Sequence, residues 1–351
     1  MRTRYSASLL GLCLVTAAAG LLSPAGAQEW VMPRTPDGHP DLQGTWRNAT
    51  MTPFERRGNG GPVFTPEEVA QREQGFVDRV ERGSAPSDPN REAPPAGRGV
   101  GSYNQVWFEQ GARVAVVNGE PRTSLITYPS NGRIPPLTVE GQRRKDEYHA
   151  FRDQFGAFDH PEMRPLADRC IVYYASSPTA TLGPPMTPSG GYNQNIRVIQ
   201  TADYVVIHGE MIHDTRIVRL GEPNRLPAHV RPWFGDSWGR WEGDTLVIET
   251  TNIHPGMGFH ELNDKILNSE DLTVIERLTR IDEDNILYEF EVQDPRTYTE
   301  VWGGQIPWQS FDQQIYEYAC QEGNYALSAV LSGARYQERM EAQGTSNSRG
   351  N

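Results

Sequence analysis

Between Gly191 and Thr251 the chain alternates strand-forming residues with an unusual load of His, Glu, Asp and Arg. It reads GYNQNIRVIQTADYVVIHGEMIHDTRIVRL, then a loop, then RPWFGDSWGRWEGDTLVIETT. A surface strand favours Lys, Thr and Ser, whereas a strand buried on both faces favours an unbroken run of Val, Ile and Leu. Ionisable groups threaded through β-branched runs fit neither pattern. They point to a barrel or cleft with a polar lining.

The alternation continues on both sides of this stretch. Asn195–Gln200 and Tyr204–Arg219 read as a hairpin across Thr201-Ala202-Asp203, the second member being one continuous strand. Arg240–Trp241 pairs with Thr245–Thr251 across Glu242-Gly243-Asp244, and Leu272–Ile281 with Ile286–Gln293 across Asp282–Asn285. Thr299–Gln309 and Gln314–Cys320 complete the set. Upstream, Thr65-Pro66-Glu67-Glu68 is a capping box that starts a helix reaching about Arg82. Ser84–Gly101 is a Pro/Gly/Ser-rich loop, Val114–Val117 and Thr123–Thr127 are short strands, and Thr138 caps a helix over Val139–Phe155. Asn324 caps a last helix over Tyr325–Ala342. Successive hairpins, an early Gly44-Thr45-Trp46 and a C-terminal helix together predict a mainly β fold. The expected architecture is an antiparallel lipocalin-like barrel with its C-terminal helix over 171–342, an irregular, partly helical wrap over 28–170, and a disordered tail over 343–351.

The first 27 residues have the layout of a secretion signal: Arg2 and Arg4, an apolar run over Ser8–Leu22, and Ala25-Gly26-Ala27 as the cleavage site. The mature chain is therefore expected in the periplasm or outside the cell, with no membrane insertion, because its remaining apolar runs are shorter than about 10 residues. Cys13 leaves with the signal. Cys170 and Cys320 remain as an even pair in an oxidising compartment, either disulfide-bonded or as two buried thiols. The net charge of −12 makes nucleic acid or an anionic membrane surface a poor partner and leaves a small molecule as the expected one.

Five strings, PDGHPDLQGTW with TPFER, RTSLITYPSNGRIPPLT, DYVVIHGEMIHDTR, GRWEGDTLVIETTNI and YEYACQEGNY, cover much of the mature chain. On these the chain resembles a family of exported bacterial proteins with no assigned activity. The resemblance implies a shared fold and compartment and supplies no reaction. Where the family pattern carries His, this chain carries Gln321, so no acid–base role is assigned there.

Within Tyr204–Arg219, strict alternation puts Val206, His208, Glu210, Ile212, Asp214 and Arg216 on one face, and the apolar set with His213 on the other. The apolar set would then be core and the charged set surface, unless Gly209 bulges the strand and re-aims the side chains after it. The catalytic candidate is His213, whose imidazole titrates near working pH, oriented by Glu210 or Asp236. Arg216 and Arg240 could bind a carboxylate or developing oxyanion. Trp238 and Tyr192 supply aromatic surface, and Glu322 and Tyr325 are candidate rim residues. The order H-x-E-x-x-H at 208–213 differs from the helical zinc-protease motif, and no metal is expected. Gly235-Asp236-Ser237-Trp238-Gly239 matches G-x-S-x-G but lacks a strand-to-helix setting, so it reads as a turn. Glu276 and Glu249 are each either an outward charge or a cavity group. No phosphate loop, dinucleotide fingerprint or haem motif occurs, so no cofactor is expected. The expected function is cofactor-independent acid–base chemistry, of lyase, isomerase or hydratase type, on a partly hydrophobic organic molecule. The alternatives are a non-catalytic small-molecule carrier and a serine or metal hydrolase.

Overall fold

The computed structural model describes residues 30–84, 90, 92, 111–173, 182–188, 194–259 and 265–343. Its strands are β1 (Gly44–Arg47), β2 (Val116–Val117), β3 (Glu120–Pro121), β4 (Ile126–Tyr128), β5 (Asn195–Gln200), β6 (Tyr204–Gly209) and β7 (Thr215–Leu220). They continue with β8 (Asp236–Glu242), β9 (Thr245–Thr251), β10 (Gly258–Phe259), β11 (Ile266–Leu267), β12 (Thr273–Arg280), β13 (Asn285–Gln293) and β14 (Trp302–Ser310). Three α-helices, α1 (Pro66–Ser84), α2 (Val139–Arg152) and α3 (Tyr325–Ala342), and two 3₁₀ turns, Pro161–Met163 and Met211–His213, complete the described elements.

The main sheet runs β1-β5-β6-β7-β8-β9-β12-β13-β14, and β14 pairs back onto β1, so the nine strands close into a barrel. β4 also pairs with β14, where two glycines leave room: a Cβ on Gly303 would lie 2.3 Å from Tyr128 OH, and one on Gly304 2.2 Å from Leu125 O. The fold is therefore the mainly β, lipocalin-like barrel expected from the alternation. The wrap is stitched into it, since β1 comes from residues assigned to the N-terminal region.

Closure gives every strand of the ring a neighbour on both sides and one inward face. Val205 and Ile207 on β6, Leu246 and Ile248 on β9, and Val274 and Leu278 on β12 are fully buried. So are Ile306 and the aromatic residues Tyr288, Phe290, Trp302 and Trp308, whose rings pack stacked or edge-on, Tyr288 on Trp308 at 5.1 Å and Phe290 against Trp302 at 6.0 Å. The segment Leu182–Thr187 is also buried. It plugs the interior with the chain's own residues, and Met186 N donates to Tyr288 OH at 2.8 Å.

The local signals at the helices mostly hold. Glu68 N donates to Thr65 Oγ1 and Thr65 N to Glu68 Oε2, the reciprocal bonds of a capping box. Thr138 Oγ1 accepts from Gly141 N and caps α2. Asn324 precedes α3 without capping it; its amide instead donates to Asp168 O at 3.2 Å and contacts Cys170 Sγ at 3.4 Å. Cys170 and Cys320 are disulfide-bonded, with Cα atoms 5.7 Å apart.

Three sequence expectations are corrected. Gln314–Cys320 forms no strand and crosses to the disulfide as irregular chain. The G-x-S-x-G string is not a turn beyond Gly235, because Asp236 opens β8. Tyr204–Arg219 is not one strand. It breaks after Gly209 into a 3₁₀ turn over Met211–His213, and Gly209 N bonds Asp214 O at 2.9 Å to close a hairpin. Ile212 sits at φ 57°, ψ 14°, the left-handed region, which is unusual for a β-branched residue. The turn shifts the phase of the alternation. Arg216 and Val218 therefore point inward, opposite Ile207 and Val205 of β6, instead of sharing an outer face with His208. The signal segment 1–27 and residues 344–351 of the tail lie outside the described residues.

Candidate functional site

A charged group faces inward midway along the barrel. Arg216 on β7 makes a two-pronged pair with Glu276 on β12, Nη1 to Oε1 at 3.0 Å and Nη2 to Oε2 at 2.6 Å. Nη2 also donates to Ser237 Oγ and Thr250 Oγ1 at 3.3 and 3.2 Å, and those two hydroxyls lie 2.9 Å apart. Tyr288 OH donates to Glu276 Oε1 at 2.8 Å. All five residues are buried. Burial, reinforced by the Glu276 charge and hydrogen bond, pushes the Tyr288 phenol far above its ordinary range, so it stays a donor. Burial opposes the Arg216 charge, but Glu276 outweighs it and raises the guanidinium's pKa.

The barrel wall opens beside this group. Every joint of the ring is antiparallel except that of β7 with β8, which is parallel and spans only Arg219↔Trp238 and Leu220↔Gly239. Parallel strands require a long return connection, here residues 221–235. Asp236 holds that loop: it pairs with Arg219 and accepts from Leu226 N at 2.7 Å, while Arg225 reaches Glu249 at 2.6 Å. Below the short joint, Thr215–Val218 lies across from Gly235–Ser237 without a ladder. A cleft of about 430 Å³ occupies the gap. One wall carries Asp214, Thr215 and Ile217, the other Trp233 and Phe234, and the floor is formed by Arg216 and Ser237.

Behind Trp233, His254 stacks on the indole with ring centres 4.0 Å apart. Its Nδ1 accepts from Gly256 N at 2.9 Å, so a neutral ring carries its proton on Nε2. Burial first, and the Lys265 charge second, hold this imidazole below its ordinary pKa.

Of the predicted site residues whose side chains are described, only Arg216 reaches the cleft floor. Glu210 is buried at the β6–β7 turn, where Asn195 Nδ2 at 2.6 Å and Tyr316 N at 3.0 Å occupy its two oxygens. Asp236 belongs to the loop clasp. Trp238 is buried on the outer side, beneath the Arg219 guanidinium at 4.3 Å. Arg240 is exposed and pairs with Glu242 at 2.6 Å. Glu322 lines a separate cleft beside the disulfide, and Tyr325 is 79% exposed. Tyr192 and the side chain of His213 lie outside the described residues. Among the described residues no three His, Cys, Asp or Glu side chains gather as metal ligands.

Tyr288 and Thr250 were not foreseen. Thr250 was legible in principle, because register across the Glu242-Gly243-Asp244 hairpin places it opposite Ser237. Searches against family models, curated proteins and solved structures each return no match for this chain.

Proposed function

We propose that the protein is an exported small-molecule protein whose site is the β7–β8 cleft. The carrying observation is the short parallel joint, which leaves a side opening lined at its base by Arg216 and Ser237 of the buried polar layer. Glu276 already neutralises Arg216, so the floor offers the Arg216 Nε, which bonds to nothing else among the described residues, and the Ser237 hydroxyl, without a free positive charge. Two aromatic rings form the opposite wall. That chemistry favours a partly apolar organic molecule with one or two polar groups.

A second reading adds turnover: cofactor-independent acid–base chemistry, of lyase, isomerase or hydratase type, with His213 as the acid–base group. It is favoured by the left-handed Ile212 immediately before His213, one residue from the cleft wall at Asp214. A strained β-branched residue of this kind costs on the order of 1–3 kcal/mol and recurs at functional sites.

A library of small aromatic and alicyclic acids, alcohols and ketones, screened by thermal shift and then calorimetry, tests both. Ile217 is 58% exposed on the cleft wall, so Ile217→Trp should fill the cleft without disturbing the core and weaken ligands at least about tenfold. Undiminished binding to Ile217→Trp would remove the cleft from consideration. For turnover, His213→Ala should keep ligand affinity and lose product formation; ligand recovered unchanged from both proteins leaves the carrier.

A further inference from the structure

The N-terminal wrap forms a second, unrelated concavity of about 220 Å³ between the chain following Met51 and the start of α1. Three arginines, Arg56, Arg57 and Arg72, line it against one carboxylate, Glu68, which is already engaged in the capping box. Among the described residues no Asp or Glu pairs with any of the three guanidiniums. The chain carries 45 acidic residues against 33 Lys and Arg, so this cleft is a local reversal of its charge.

Two of the arginines are held in place before any ligand arrives. Arg56 donates from Nε to Thr123 Oγ1 at 3.1 Å and from Nη1 to Ser130 O at 2.9 Å. Arg72 lies over the Phe64 ring at 4.2 Å. Gly60 and Gly61 form part of the rim. Neither has a positive φ, and a Cβ on either would meet nothing within 4 Å, so packing does not demand glycine at these positions. Their N–H groups bond to nothing else among the described residues, and the missing side chains leave them open to a ligand.

We propose that this cleft binds a tetrahedral oxyanion, phosphate or sulfate, as the free ion or as the terminal group of a small ester. A guanidinium fork matches two oxygens of such a group, and consecutive backbone N–H groups supply the further donors typical of anion concavities.

Calorimetric titration of the purified full chain at low ionic strength tests this, using inorganic phosphate, sulfate and phenyl phosphate, with chloride as control. Saturable binding of phosphate and sulfate, weakening with added salt, is expected. Arg57 is exposed and has no partner to lose among the described residues, so Arg57→Gln should fold normally and bind about tenfold more weakly, the loss of one charge-assisted bond. Arg72→Lys should also weaken binding, because it keeps the charge and loses the fork. Phenyl phosphate binding more tightly than inorganic phosphate assigns the site to an ester; equal binding assigns it to the free ion. Absence of saturable binding, an equal response to chloride, or undiminished binding by Arg57→Gln overturns the proposal.

Discussion

Arg216 and Glu276 carry the largest electrostatic stake in the barrel. The pair is dry, two-pronged and supplied with further partners, so its charges are compensated only while both are present. Arg216→Met should destabilise by about 3–5 kcal/mol, because it strands a buried carboxylate, whereas Arg216→Met with Glu276→Leu should recover most of that loss. Urea melts of the two singles and the double decide it; a double as unstable as the worse single would show that packing dominates. His254 gives a pH dependence of known sign. Its folded pKa lies below the unfolded value of about 6.5, so the unfolded state binds more protons on acidification. The stability it contributes is complete above about pH 6.5 and is lost as pH falls below that value toward its folded pKa. His254→Asn keeps an acceptor for Gly256 N and removes the titration. Its melting temperature should fall less between about pH 8 and about pH 5 than that of the wild type.

The hairpin β6–β7 depends on a close approach that only glycine permits. A Cβ at Gly209 would lie 2.7 Å from Leu182 Cγ, inside the plug that fills the barrel. Gly209→Ala should therefore cost about 1–3 kcal/mol by overpacking. Leu182→Ala alone should cost about 2–5 kcal/mol. The double variant should be less destabilised than the sum, since the smaller plug residue accepts the new methyl group. Additive losses in denaturant melts would mean that the two positions do not touch. This element also marks where sequence reading stops short. Alternation located β6 and β7, but the strand-forming string ran through the turn, because nothing in Glu210-Met211-Ile212-His213 resembles turn chemistry. A left-handed Ile is held by its buried surroundings, not by local preference.

The disulfide ties two distant parts of the molecule. α3 buries none of its described residues, and the disulfide at Cys320, the Asn324 amide and the contacts of Arg335 with Phe158 and Asp159 are among the links that hold it. On a chain-entropy estimate, closing a loop of this length contributes about 4–5 kcal/mol. In Cys170→Ser/Cys320→Ser the C-terminal segment should be cleaved by protease well before the barrel, and limited proteolysis followed by mass spectrometry reads this directly. Barrel and helix lost together would show that the link supports the whole fold.

Much of the architecture was written locally. Period-2 runs between turn residues, Gly44-Thr45-Trp46, the Thr65–Glu68 box and the Thr138 cap each act over a few residues, so barrel, helices and most hairpins could be read from the chain. Glu276 was half-legible: it shares its phase with Val274 and Leu278, which marks an inward position but names no partner. The remainder needed contacts between residues far apart in sequence. Closure of β14 onto β1, the parallel β7–β8 joint that opens the cleft, and the pairing of Arg216 with Glu276 sixty positions away arise when the ring closes. Local preference sets which residues form strands; only barrel closure decides which of their charged side chains meet.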